Sequence, residues 1–370
     1  MSDVVGFDGA ADTSASPAVD ATAEWRFEFR GNAAEYFRIW IVNLGLSIVT
    51  LGVFSAWAKV RRERYFYGNT WVAGAPFEYL ANPINILKGR IVAVTVFGLY
   101  AFLQQVMPIA QLILLVLVLM ATPWVITSAL RFRARYSAWN TATFRFTGTV
   151  QAAVRYYLLL VLLMVPTFGT IYPYVRWQQR RFMVGGHRFG GQAFVFGAGP
   201  KRFYAIFGVA LAIGAATFTV AMLFGWGCVV AVRYAWADGG VQAVDVTAWR
   251  YALTYGVVAA MYFSIFVGYV YVASRVTNVS YNTTTIGPHR LRSTIRMRDL
   301  VAIYLTNTAA IVASIGLLVP WAQIRLARYR AAHLRLLAGG DLHDWTLETG
   351  VERSAFGAET ANVFDLDISL

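Results

Sequence analysis

Seven long apolar stretches divide the chain, and shorter polar stretches rich in arginine separate them. The apolar stretches cover residues 36–58, 91–106, 109–130, 154–175, 203–232, 251–274 and 300–324. Several reach the roughly 20 residues that a helix needs to cross about 30 Å of hydrocarbon. Between them lie alternating or glycine-bounded segments such as WRFEFRG and GNTWVAGAPFEY, which are typical of β-strands and hairpins. The pattern predicts an α-helical integral membrane protein with short strands and hairpins flanking its helices on one side.

Composition supports this class and places the acidic residues at the two ends of the chain. Hydrophobic residues make up 58% of the chain and charged residues only 14%, whereas a soluble domain has about 25% charged residues. Residues 1–24 are predicted to be a disordered acidic tail, and residues 341–370 a second acidic tail. The part between them holds 31 basic and 7 acidic residues. Because these basic residues adjoin apolar segments, we expect anionic lipid headgroups as partners and no nucleic acid.

The chain resembles itself at two fixed shifts. A shift of 117 residues places FEFRG at 27–31 on FRFTG at 144–148. A shift of 264 places NLGLSIVTLGVFSAWAKVRRERY at 43–65 on NTAAIVASIGLLVPWAQIRLARY at 307–329. Fixed periods of this kind indicate internal repeats. We predict a first repeat at 25–143, a second at 144–287 and a third, partial repeat at 288–340, in which three copies of one element accompany two transmembrane helix pairs.

The repeated element has two alternative threadings. Each copy carries a glycine after an apolar helix, at Gly52, Gly169 and Gly316, where a left-handed cap commonly ends a helix. A hinge there would let the element re-enter, although one kinked helix could also span the membrane. If all seven segments cross, the basic residues divide 17 to 14 between the two sides; if only the two helix pairs cross, 29 of 31 share one side. The positive-inside rule therefore favours re-entrant or interfacial hairpins.

Two sets of polar residues are candidates for function. The arginines of the repeated element could ring an anion-selective vestibule or contact lipid phosphates from an outer surface. They are Arg61, Arg62, Arg64, Arg181, Arg325 and Arg328. Asn43 and Asn307 occupy matching positions within apolar helices, where an amide forms an interhelical hydrogen bond or lines a substrate path.

The sequence offers no constellation for catalysis. The four histidines are scattered, Cys228 is the single cysteine, and carboxylates are sparse between the tails. Neither a metal site nor an acid–base pair can be assembled from these residues. We therefore expect no enzyme activity, no catalytic residues, no metal and no cofactor.

One long motif resembles a known family. The segment EYFRIWIVNLGLSIVTLGVFSAWAKVRRERYFYGNT, followed by FEYLANPINILKGR, is similar to the YjgN family of bacterial inner-membrane proteins, a domain of unknown function. The resemblance implies a multi-spanning protein of the bacterial cytoplasmic (inner) membrane, and it implies no established activity. The second copy departs from the motif, with Tyr174 in place of the tryptophan and Gln178 in place of an arginine.

Two functions follow as expectations. Re-entrant elements and internal repeats recur in transport folds, so the first is a transporter or channel for a small solute, with an anion as one candidate. The alternative is a non-transporting scaffold or adaptor that binds anionic lipid or a membrane partner protein. Polar residues through the membrane middle would favour transport, and a dry, packed core would favour the scaffold. The sequence leaves open whether the protein is a homo-oligomer.

Overall fold

The described part of the chain contains eleven strands and ten helical segments. A computed structural model describes residues 23–140, 142–237 and 246–340. Both predicted acidic tails lie outside these residues, except that Ala23 and Glu24 begin the first strand. The expectation of short strands flanking the helices is confirmed, and the sheet that they form is much larger than isolated hairpins would give.

The helices form two long and three short antiparallel pairs. The long pairs are α3 (Pro83–Val106) with α4 (Pro108–Arg135), and α7 (Pro200–Ala237) with α8 (Val246–Asn282). The short pairs, which we name the first, second and third short hairpins, are α1 (Ala33–Val49) with α2 (Ser55–Gly68), α5 (Val150–Leu162) with α6 (Tyr172–Gly185), and α9 (Met297–Ala313) with α10 (Val319–Ala332). Within the described residues, the four helices of the long pairs are long and apolar enough to cross a membrane.

All eleven strands belong to one antiparallel sheet whose order nearly follows the chain. The strands are β1 (Ala23–Arg26), β2 (Glu28–Phe29), β3 (Thr70–Val72), β4 (Ala75–Tyr79), β5 (Ser137–Trp139), β6 (Ala142–Phe146), β7 (His187–Phe189), β8 (Gln192–Phe196), β9 (Thr284–Ile286), β10 (His289–Ser293) and β11 (Leu334–Ala338). The order is β1-β11-β10-β9-β8-β7-β6-β5-β4-β3-β2. Each helical pair connects two neighbouring strands, so all five pairs leave the sheet from the same edge, the one formed by the ends of the strands.

The sheet closes into a ring because β1 and β2 are two halves of one extended segment. The first half pairs with β11 and the second with β3. At the junction, the Phe27 amide donates to the Leu334 carbonyl at 3.1 Å, and the Arg30 amide donates to the Asn69 carbonyl at 2.9 Å. Closure satisfies strand edges that would otherwise remain open for pairing with another chain.

Apolar and aromatic side chains fill the inside of this ring. Trp139 and Phe189 are buried there with their ring centroids 5.8 Å apart, although their strands are not direct neighbours. Phe77 lies 6.2 Å from Trp139 and 6.2 Å from Phe27. Contacts between alternate strands of this kind require side chains that point inward, so the ring interior is a packed core.

The residues between strand and helix favour helix starts at the ring edge. The Asn32 side chain accepts from the Ala34 amide at 2.8 Å, and the Asn82 side chain accepts from the Ile84 amide at 3.0 Å. Pro83 and Pro200 occupy first-turn positions, where a missing N–H is harmless. Capped starts of this kind fix where each helix leaves the ring.

Three of the seven predicted apolar segments are not continuous helices. The segments at 36–58, 154–175 and 300–324 each contain a helix, a turn and a second, antiparallel helix. In the first short hairpin, Tyr36 of α1 stacks on Tyr65 of α2 with ring centroids 5.2 Å apart, which shows that the chain returns toward the ring. The alternative of a single kinked helix at these segments is therefore wrong.

The three tips share one backbone geometry. The tip glycine and the residue before it both have φ between 49° and 89°, in the pairs Leu51–Gly52, Phe168–Gly169 and Ile315–Gly316. The glycine amide donates to the carbonyl five residues earlier, at 2.7 Å in the first hairpin and 2.8 Å in the others. The apolar tip residues are 94–96% exposed. A large apolar side chain is uncommon at positive φ, so each of these exposed side chains occupies its tip at a cost in backbone strain.

Two of the tips lie beside the first third of a long helix. Arg90, the eighth residue of α3, donates to the Ser55 hydroxyl at the start of α2. Phe207, the eighth residue of α7, packs edge-on against Tyr172 at the start of α6, with centroids 5.1 Å apart. The first and second short hairpins therefore reach only a fraction of the length of the helices next to them.

Alanine at a tip glycine should destabilise the protein. A Cβ at Gly52 meets no atom within 4 Å, so Gly52→Ala adds backbone strain without a clash. We expect the free energy of unfolding to fall by about 1–2 kcal/mol, seen as a lower melting temperature of detergent-purified protein. Gly45→Ala is the control, because Gly45 also has open space but lies within α1, where alanine is favourable. Equal losses at both positions would contradict a special role for the tip.

Candidate functional site

An open basic cleft lies between the first short hairpin and α3. Its volume is about 260 Å³. The residues that line it are Tyr36, Trp40, Asn43, Leu44, Ser47, Ser55, Ala58, Lys59, Arg62 and Arg90. We refer to this feature as the basic cleft.

Three cations converge on the basic cleft from two helices. Lys59 and Arg62 are three residues apart on α2 and therefore share a face. Arg90 comes from α3 and donates to the Ser55 hydroxyl. None of the residues that line the cleft is acidic, and Glu63, next to it on α2, pairs with Arg62 at 2.8 Å. One carboxylate against three cations leaves the cleft with a positive charge that favours an anion.

The α1 wall of the cleft is aromatic and polar. The Tyr36 side chain is buried, and its hydroxyl donates to the Gln323 side chain at 2.9 Å. Burial raises the pKa of Tyr36 to about 12, so its hydroxyl stays protonated. The Ser47 hydroxyl donates to the Asn43 carbonyl at 2.6 Å. An amphipathic wall beside three cations suits a ligand with a charged end and an apolar body.

The corresponding place beside the second short hairpin is filled. Positions correspond when counted from the tip glycine, or from Pro83 and Pro200 in the long helices. Tyr172 then stands where Ser55 stands, and Phe207 stands where Arg90 stands, and the two rings are in contact. Gln179, which corresponds to Arg62, is buried and accepts from Arg176 at 3.1 Å.

The third short hairpin has no cation at the positions of Lys59 and Arg62, whereas the second has one, Arg176, at the position of Lys59. Gln323 takes the place of Lys59, and it accepts the hydrogen bond from Tyr36 of the neighbouring helix. Leu326 takes the place of Arg62 and packs beneath the third hairpin with other apolar residues. Among the three short hairpins that the structure describes, only the first has cations at all of these positions, namely Lys59, Arg62 and Arg90.

The six arginines predicted as one set do not share a site. Arg62 lines the basic cleft, and Arg64 is exposed on α2. Arg181 lies 5.6 Å from the Trp177 ring. Arg328 donates to the Gly31 carbonyl at 2.7 Å, where the third short hairpin meets the first. The remaining two, Arg61 and Arg325, bind asparagines of their own hairpins.

The two predicted asparagines are buried, and each binds an arginine across its hairpin. Arg61 donates to the Asn43 side chain at 3.5 Å, and Arg325 donates to the Asn307 side chain at 3.1 Å. Asn307 also donates to the Ala322 carbonyl at 3.2 Å. In the second short hairpin the corresponding residues are Leu160 and Gln178, so both members of the pair are replaced together. These contacts tie the two helices of a hairpin to each other.

Sequence reasoning missed two cations of the cleft. Lys59 lies in the repeated motif, but the other copies have Arg176 and Gln323 there, so a comparison of the copies does not single it out. Arg90 lies outside the repeated element and ends the polar stretch KGR, directly before residues 91–130, which contain no charged residue. A cation at the edge of a charge-free segment was the available signal, but its contact with Ser55 depends on how α2 packs on α3.

Comparison with known proteins places the chain in a family of bacterial proteins with no established activity. A family model described as bacterial protein of unknown function (DUF898) matches residues 24–363. The chain therefore belongs to this family, which is also that of the inner membrane protein YjgN. No solved structure matches the chain significantly.

Curated relatives give the location. The chain is 30% identical over 149 residues to inner membrane protein YjgN of Escherichia coli O157:H7 and of strain K12, and these matches cover 40% of this chain and 37% of each relative. The protein of Salmonella typhimurium matches at the same identity, over 39% of this chain and 37% of its own length. With its four apolar helices, the chain is a multi-pass protein of the bacterial inner membrane.

Proposed function

We propose that this protein is a non-transporting scaffold of the inner membrane that binds the phosphate of an anionic phospholipid in the basic cleft. The observation that carries the proposal is the convergence of Lys59, Arg62 and Arg90 beside an aromatic wall. Arginine and lysine are the usual phosphate ligands in proteins. The charge-free stretch that begins after Arg90 supports a position of the cleft at headgroup depth, where lipid phosphates lie.

The proposal includes a threading in which only the two long pairs cross the membrane. Because all five helical pairs leave the strand ring from one edge, the whole ring would lie on one side of the membrane. We propose that this side is the cytoplasm. Of the 31 basic residues between the tails, only Arg233 and Arg250 would then lie on the far side. The three short hairpins would enter the cytoplasmic leaflet, which accounts for the exposed apolar tip residues Leu51, Phe168 and Ile315.

We further infer that the three short hairpins are copies of one unit. Their tips have the same succession of dihedral angles and hydrogen bonds, and their sequences match at fixed shifts. Tyr65 and Tyr329 repeat one contact at the hairpin base, with the tyrosine hydroxyl 3.1 Å from Glu35 and 3.3 Å from Asp299. The second hairpin has Phe182 at that position, and a phenylalanine has no hydroxyl with which to make this contact.

Transport of a small anion is the competing proposal. Its support is the set of cations at the membrane boundary. Against it, the strand ring is filled by Trp139, Phe189 and their neighbours, so a solute moving along the ring axis would have to displace a packed core. Wild-type protein in liposomes should therefore give an anion flux equal to that of empty liposomes, and a flux above that level would favour transport.

Single cysteines should locate the ring and the tips. In a Cys228→Ala background, we expect Met107→Cys, between α3 and α4, to react with an impermeant thiol reagent added to spheroplasts. Leu51→Cys, at the tip of the first short hairpin, and Arg188→Cys, on β7, should react only after the cells are broken or not at all. Met107 and Leu51 are both exposed, so access within the protein does not distinguish them. Labelling of Leu51→Cys from outside would show that the first short hairpin spans.

A further inference from the structure

Three arginines lie side by side on the outer face of the strand ring. Arg26 of β1 is directly opposite Arg335 of β11, and Arg335 is directly opposite Arg292 of β10. The residues next to Arg335 and Arg292 along their strands, Leu336 and Leu291, belong to the packed interior. Because neighbouring residues of a strand point to opposite faces, the three arginines share the exterior. We name this row the arginine ladder.

The arginine ladder has too few anions within the described residues. Like charges directly opposite on neighbouring strands are destabilising. Glu24 is the carboxylate paired with the ladder, through Arg335 at 2.6 Å. The hydrogen bond from Arg335, with the charges of all three arginines, lowers the pKa of Glu24. The Arg335 Nε atom is buried and has no hydrogen-bond partner among residues 23–140, 142–237 and 246–340. The ladder therefore has capacity for further carboxylates.

The acidic C-terminal tail is attached close to the ladder. Strand β11 ends at Ala338, and residues 341–370 follow with seven acidic residues and one basic residue. Asp341, Asp344 and Glu348 come first. An extended chain covers about 3.3 Å per residue, so these carboxylates can reach back to a strand of five residues. A covalent tether also gives them an effective concentration of about millimolar or more at the ladder.

We propose that the arginine ladder binds the acidic C-terminal tail of the same chain. The tail carboxylates complement the positive charge of Arg26 and Arg292, which form no ion pair among the described residues and are exposed on either side of Arg335. The family match extends to residue 363, so most of the tail belongs to the family domain. The proposal does not depend on the lipid assignment of the basic cleft, because the ladder and the cleft share no residue.

Zero-length cross-linking in the full-length protein tests this contact. Arg292→Lys keeps the positive charge and introduces an amine that a carbodiimide can couple to a carboxylate within ion-pair distance. We expect cross-links between position 292 and the tail carboxylates, found by mass spectrometry in monomers, several-fold more abundant than for Arg188→Lys. Arg188 is an exposed arginine on β7, four strands from β11, and is the matched control. High salt should reduce the cross-links.

A second variant and a change of lipid separate the alternatives. Asp341→Asn, Asp344→Asn and Glu348→Gln together should reduce the cross-links from position 292 to remaining tail carboxylates such as Glu352 and Glu359, while the melting temperature stays within a few degrees. Equal cross-linking at positions 188 and 292 would overturn the proposal, as would cross-links found only between molecules. Cross-links present in phosphatidylcholine nanodiscs but abolished by phosphatidylglycerol would show that lipid headgroups occupy the ladder instead of the tail.

Discussion

Neutralising Lys59, Arg62 and Arg90 together as glutamines is expected to lower the affinity for anionic phospholipid by about 30- to 150-fold. Each Lys or Arg near an anionic lipid contributes about 1 kcal/mol, and Arg62 contributes less because Glu63 already pairs with it. The sum of about 2–3 kcal/mol corresponds to that change in the dissociation constant. Titration of detergent-purified protein with short-chain phosphatidylglycerol measures it.

A charge-matched variant separates the cleft from net charge. Arg64, Arg181 and Arg202 are exposed arginines outside the cleft, and their replacement by glutamine removes the same three charges. This control should retain nearly wild-type affinity. Equal losses in both variants would mean that phosphatidylglycerol follows overall charge and that the cleft is not a site. Competition by inorganic phosphate at millimolar concentration would point to a soluble anion as the ligand.

The local chemistry of the sequence predicted the helical hairpins well. A glycine that follows an apolar helix in three matching contexts suggests a left-handed turn, and Gly52, Gly169 and Gly316 all have positive φ. The residue before each glycine adopts positive φ as well, which no propensity predicts for leucine, phenylalanine or isoleucine. In the proposed threading the tips lie in lipid instead of water, which changes the side chain that a tip favours, and soluble-protein propensities do not include that effect.

The closed strand ring could not be predicted in the same way. Its strands contain two to five residues, which is too short for a reliable alternation signal. The pairing that closes it joins Arg26 to Arg335, across nearly the whole chain. The sequence predicted strand-like flanks on one side of the membrane, but which strands pair, and that the two ends of the sheet meet, depends on how the five helical pairs pack.

The different positions of the six predicted arginines have a related reason. Spacing along a helix shows which residues share a face, but not which neighbour that face meets. Arg62 meets α3, whereas Arg328 meets the chain before α1, and Arg181 lies over its own Trp177. The sequence repeats predicted the same role for all six arginines. Each hairpin has a different neighbour in the structure, so the arginines make different contacts.

Trp139→Ala should destabilise the protein more than any of the other single substitutions proposed above. The Trp139 side chain is 5% exposed, its ring lies 5.8 Å from Phe189 and 6.2 Å from Phe77, and its indole N–H donates to the Ala75 carbonyl at 3.3 Å. Removing a buried tryptophan leaves a cavity and costs about 3–5 kcal/mol. We expect a large drop in the melting temperature of detergent-purified protein, followed by circular dichroism.

A lipid-facing tryptophan provides the matched control for Trp139. Trp226 on α7 is 70% exposed, and its replacement by alanine should change the melting temperature little. If both variants melt like the wild type, the ring interior is not a packed core. Liposomes containing Trp139→Ala also test the ring as a route: anion flux in this variant, with none in the wild type, would mean that the aromatic core seals a path through the ring. Absence of flux in both is the result expected for a scaffold whose ring holds five helical pairs together.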